Sequence, residues 1–212
     1  MGRRTEPIDN ERQLFRLLDY LEENDIMIYV LSSIMLYTAF RIGDVLQLTV
    51  RDVRGDTLVI EEGKTKYLSR LHKKDLKEGK KRPRQPKPPR EIDIHPDLKR
   101  IFKEYTYGKS NSEYLFPSPR DRNVPLSYSQ ANRRLKTAGA AVGIYDMATH
   151  VLRKTSITMV YEKDNDLAEA QNYAGHVSPT ETAKYLGLNK VLRKRSIKKM
   201  DNLTERRKKN RI

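Results

Sequence analysis

Four short clusters in this 212-residue chain hold the side chains whose types and spacing could do chemistry. The first, Thr38-Ala39-Phe40-Arg41-Ile42-Gly43-Asp44, puts Arg41 at the exit of an apolar run, three residues before an acid. The second, Gly63-Lys64-Thr65-Lys66, follows a strand-like run and sits at the tip of an expected hairpin. The third, His150-Val151-Leu152-Arg153, places two polar side chains three apart, on one helical face. The fourth runs from Gly175-His176 to Tyr185. Singly, each has an ordinary explanation: a salt-bridged arginine, a solvated lysine, a surface His–Arg pair, a helix stop, a core tyrosine. The excluded chemistry is firmer. Without cysteine there is no thiol nucleophile, no Cys-ligated zinc and no disulfide framework. No acidic cluster suited to Mg²⁺ is apparent, which agrees with metal-free chemistry, and no cofactor is expected.

The elements that must position these clusters are mostly helical. Leu14, Leu17, Leu18 and Leu21 recur at helical spacing, and residues 26–38 are apolar nearly all round, as in a helix buried in a core. A turn at 40–43 leads to a short helix over 44–48. Thr57–Glu61 and Glu91–Ile94 read as two strands of a small antiparallel sheet. Between them, residues 64–90 hold twelve Lys or Arg, two acids and four prolines. That composition predicts an irregular loop. Further helices are expected over 97–105, from a Ser127 cap to Val142, from Thr149 to about Tyr161, and near 166–173 and 180–185. The fold class is therefore α+β, mainly helical with a small antiparallel sheet. One domain is expected over residues 1–190, with a basic hairpin insertion at about 67–90 and a basic C-terminal tail over 191–212.

In order and spacing, the four clusters resemble the catalytic domain of tyrosine recombinases, the phage integrase family, from about Leu14 to Lys194. The family's Gly-Leu-Arg-x-x-Glu is matched by Ala39-Phe40-Arg41-Ile42-Gly43-Asp44. Its His-x-Leu-Arg-His-Thr is matched by His150-Val151-Leu152-Arg153-Lys154-Thr155, and its long Leu-Gly-His…Tyr motif by Ala174 to Tyr185. The departures Ala39, Lys154, Ala174 and Glu181 fall beside the catalytic positions, not on them. The resemblance implies a DNA breaking–rejoining fold and a site-specific recombinase working through a 3′-phosphotyrosyl intermediate. It gives Tyr185 as nucleophile, with Arg41 and Arg153 on the phosphate oxygens. It gives His150 as base, His176 as a phosphate hydrogen-bond donor, and Lys64 as general acid, with Lys66 the competitor. Asp44 is expected to buttress Arg41. The family's N-terminal core-binding domain is not expected here, because only about ten residues precede the first helix.

The charge agrees with that partner. Lys and Arg number 43 against 28 Asp and Glu, a net charge of +15, which favours a polyanion. Double-stranded DNA is the expected partner, with the basic loop supplying phosphate contacts. The resemblance implies a homo-oligomer, a tetramer on synapsed DNA with a monomer open for the free form, and the tail docking on a neighbouring protomer. The longest apolar run, Ile26–Leu31, is far short of the roughly 20 residues a spanning helix needs. No membrane partner is expected, and the cytoplasm is the expected location. The competing readings are a non-catalytic DNA-binding regulator of the same fold, a type IB topoisomerase, and a basic RNA-binding protein.

Overall fold

The computed structural model describes residues 6–80 and 88–188. Two compact units are distinguished, one ending at Ser156 and the other beginning at Ile157.

In the first unit, α1 (Glu11–Asn24) starts where the Asn10 side chain accepts the N–H groups of Arg12 and Gln13, and its buried stripe is Leu14, Leu17 and Leu21. Helix α2 (Ile26–Thr38) is buried on most of its surface, as its composition predicts. Ile28, Val30, Leu31, Ile34 and Met35 are essentially inaccessible, each contributing roughly 1.5–3 kcal/mol by leaving water. The hydroxyls of Ser33 and Thr38 are satisfied one turn back, donating to the carbonyls of Tyr29 (2.9 Å) and Ile34 (2.6 Å). Asp25 caps α2, accepting the Ile28 N–H at 3.2 Å. Its carboxylate is gripped by Arg134 of α6 (Tyr128–Ala141), with Nε donating to Oδ2 at 2.7 Å. Helix α2 packs against α1, α6 and α5 (Pro96–Tyr105), so the core gathers around it. After α2 come a single-turn α3 (Ile42–Val45) and a 3₁₀ turn (Val50–Val53). Helix α7 (Thr149–Asp164) starts at the expected threonine.

The expected sheet is present. β1 (Thr57–Ile60) and β2 (Arg90–Asp93) pair antiparallel, with Leu58 opposite Ile92 and Ile60 opposite Arg90. Their connection differs from the expected irregular hairpin loop. It carries α4 (Gly63–Lys77), a regular helix. The reason is a stripe that composition hides: Leu68, Leu71, His72 and Asp75 recur at helical spacing, the first three half-buried and Asp75 buried. The stripe's last member is an acid, buried and paired with Lys80 Nζ at 2.6 Å. Residues 81–87 of the basic segment, and the whole 191–212 tail, lie outside the described residues.

In the second unit, α8 (Leu167–Ala174) and α9 (Pro179–Leu186) pack on each other. Asp166 caps α8, accepting the N–H groups of Ala168 at 2.7 Å and Glu169 at 3.2 Å. Ser178 caps α9, accepting the Glu181 N–H at 3.2 Å, and Pro179 takes the first helical position, where its missing N–H costs nothing.

Candidate active site

Arg41 is positioned by the way α2 ends. Ala39 takes a left-handed conformation (φ 51°) and turns the chain, and Phe40 is then fully buried as an anchor. Arg41 follows in extended conformation at the start of α3. Its guanidinium pairs with Glu62, at the exit of β1. Glu62 also accepts from Arg90 Nη1 at 3.2 Å, and Arg90 lies over the Phe40 ring, 4.6 Å from its centroid. Burial pushes the Glu62 carboxyl up, but Arg41 and Arg90 outweigh burial and hold it below its ordinary value. Asp44, expected beside Arg41, accepts the Gly63 N–H at 2.8 Å and so ties the start of α4 to α3.

Arg153 and His150 project from the first turns of α7. Arg153 is buried, and its Nη1 donates to the Ala39 carbonyl. One turn earlier, His150 is exposed. The start of α7 is fixed to α6 by Thr149, whose N–H donates to Asn132 Oδ1 at 3.3 Å and whose hydroxyl donates to the Tyr128 hydroxyl at 3.2 Å. The result is a cavity of about 270 Å³ whose walls include Arg41, His150, Arg153, Gly63 and Thr149. Three of the six expected site residues therefore share one cavity. Gly63 on its wall immediately precedes Lys64, and residues 64 and 66 both lie in the first turn of α4.

The other two, His176 and Tyr185, meet within the second unit. Gly175 (φ 65°) closes α8: its N–H donates to the Asn172 carbonyl at 3.0 Å and that of His176 to the Gln171 carbonyl at 3.1 Å. This double closure needs a residue at ease in the left-handed region, hence the Gly-His sequence. His176 Nδ1 lies 3.0 Å from the Thr182 hydroxyl. Its ring meets that of Tyr185 edge-on, with centroids 5.2 Å apart. Thr182 and Tyr185, three apart on α9, are held on the same side as His176.

The four departures from the motif each have a local structural role. Ala39 supplies the left-handed turn and the carbonyl that receives Arg153. Lys154 pairs with Glu6 at 3.2 Å, while the neighbouring Thr155 hydroxyl accepts the Ile8 N–H at 2.9 Å. Ala174 is fully buried at the end of α8. Glu181 accepts the Val177 N–H at 3.3 Å, steadying the start of α9. The sequence reading missed Glu62 and Arg90. Their only signal was the pairing of the two strands, which sets Arg90 opposite Ile60, two residues before Glu62.

Among the described residues, no group of three His, Asp or Glu side chains is placed to hold a metal ion, and no helix is long and apolar enough to cross a membrane. The phage integrase family matches residues 9–191. "Probable integrase/recombinase YoeC" of Bacillus subtilis (strain 168) is 35% identical over 185 residues, covering 87% of this chain and 90% of that protein. Among solved structures, XerA recombinase is similar with a TM-score of 0.65 at 21% identity, over 92% of this chain and 66% of that one. The Tn1549 transposon integrase in complex with a circular intermediate DNA gives 0.64 at 14% identity, over 87% and 62%. A lambda integrase dimer bound to a COC′ core site gives 0.59 at 19%, over 88% and 61%. This chain thus spans less than two thirds of these solved chains, and at such identities the likeness is one of fold.

Proposed function

We propose that this chain, which belongs to the phage integrase family and is a tyrosine-type site-specific recombinase, cleaves and rejoins duplex DNA through Tyr185. The observation that carries the reading is the cavity shared by Arg41, His150 and Arg153. Two guanidiniums on one small cavity suit a phosphodiester, because each can fork onto non-bridging oxygens and offset the charge that grows in the transition state. Glu62 engages one end of the Arg41 fork, which leaves other N–H donors of the guanidinium for phosphate.

In this reading the Tyr185 Oη attacks phosphorus and the bond to the 5′-oxygen breaks, leaving a 3′-phosphotyrosyl linkage. The phenol proton passes to His150, and the leaving oxygen takes a proton from Lys64, or from Lys66 in its place. His176, held by Thr182, donates to the phosphate. Religation is the reverse sequence, with a 5′-hydroxyl as nucleophile. Double-stranded DNA as partner is supported by the net charge of +15 and by the DNA held in the Tn1549 integrase and lambda integrase structures. A tetramer on synapsed DNA, acting in the cytoplasm, completes the proposal.

The test is capture of a covalent adduct on a nicked suicide duplex. The native chain should form it, and Tyr185→Phe should bind the same DNA and form none. Site-specific binding with no adduct from the native chain would make the protein a regulator. Relaxation of supercoiled plasmid by monomer at no preferred site would make it a topoisomerase.

A further inference from the structure

Helix α4 has two opposed faces. Leu68, Leu71, His72 and Asp75 form its shielded stripe, whereas Arg70, Lys73, Lys74 and Lys77, at i, i+3, i+4 and i+7, are all exposed on the other side. Lys74 has a loose partner in Glu78 at 3.7 Å. Among the described residues, Arg70, Lys73 and Lys77 have no acid within ion-pair distance. The four cations extend about 10 Å along the helix axis, the axial rise of about three phosphates on one DNA strand. The same helix is tied to the cavity at its other end, since Gly63 lies on the cavity wall and donates its N–H to Asp44. The two candidate general acids, Lys64 and Lys66, sit in the turn that this contact anchors.

We propose that the basic face of α4 docks on the DNA backbone and that this docking delivers the general acid to the leaving oxygen. The inference rests on the recombinase reading and adds a coupling to it. Phosphate contact along residues 70–77 fixes the axis of α4, and the fixed axis sets the position of the first turn. There, the lysine ammonium gives its proton to the 5′-oxygen as the phosphorus–oxygen bond breaks. A charged strip is suited to the task because it is indifferent to sequence and reads only the spacing of phosphates.

The experiment replaces Arg70, Lys73, Lys74 and Lys77 together by Gln, which keeps helix propensity. Its control removes four exposed cations elsewhere, Arg12, Arg16, Lys103 and Lys136. On nicked duplex, the slope of log K against log[salt] should flatten by two to three units in the α4 variant, at about 0.9 per phosphate contact. At saturating DNA its adduct rate on an ordinary phosphodiester should fall at least about ten-fold, as expected when a general acid is misplaced. On a 5′-bridging phosphorothiolate, whose sulfur leaves without a proton, the rate should return close to native. An unchanged slope, or an equal loss in the control, overturns the docking. A rate deficit of the same size on both substrates overturns the delivery. Failure of the native chain to form adduct on either substrate would instead sink the recombinase reading, and the salt slope would still report whether α4 lies on DNA.

Discussion

At the residue scale, the cavity depends on arginines that other groups hold still. Arg153 is fastened to the carbonyl of a left-handed alanine, and Arg41 to a glutamate shared with Arg90. A lysine at position 153 keeps the charge but loses the planar fork. Arg153→Lys should therefore slow adduct formation by about 100- to 1000-fold, measured as a single-turnover time course, while leaving duplex affinity nearly unchanged. Glu62 supplies a second expectation. Its folded pKa lies below the ordinary 4.5 because Arg41 and Arg90 outweigh its burial. The stabilisation it gives is thus fully present above pH 4.5 and fades as the pH falls through the lower folded value. Glu62→Gln should melt below the native chain at neutral pH, and the gap should close on the acid side of 4.5. A gap that stays constant with pH would show that the ion pairs contribute no net stability.

At the element scale, most of the frame follows from local rules. An all-round apolar segment makes α2, a leucine stripe makes α1, and Asp166, Ser178 and Gly175 punctuate α8 and α9 where capping chemistry requires. Helix α4 escaped those rules. Counting charges and prolines over the whole of 64–90 averages a helix with the proline-rich residues after it, and the fourth position of the stripe is an acid that no apolar pattern includes. Asp75 is tolerable there because Lys80 folds back onto it. Asp75→Asn should leave the Lys80 ammonium without that partner and weaken the last turn of α4, lowering helical signal and thermal stability together. The Glu62–Arg90 pair was illegible for another reason. It joins residues 28 apart, through a strand register that only the folded sheet sets. The candidate cluster could be picked out because its residues keep a motif order, although Arg41 and His150 are brought to one cavity only by packing.

At the scale of the whole molecule, the net charge of +15 sets the behaviour on polyanions. Duplex affinity should fall steeply with salt, by about 10³-fold or more between 50 and 200 mM if some six phosphates are contacted. Fluorescence anisotropy on unrelated duplexes would read this directly. A slope shallower than about −2 would mean fewer than three phosphate contacts and would point away from DNA as the main partner.

Helix α4 also turns a basic segment into a clock for local opening. It contains six Lys or Arg residues, each a bond that trypsin recognises but cannot cut while the backbone is helical. Cleavage there must wait for the helix to unfold, so its rate reports how often α4 opens while the core remains closed. Duplex that binds the exposed face should slow that cleavage well beyond any slowing at exposed arginines of α1, such as Arg12 and Arg16. A time-resolved digest would then read the stability of one helix without denaturant and without any substrate turnover.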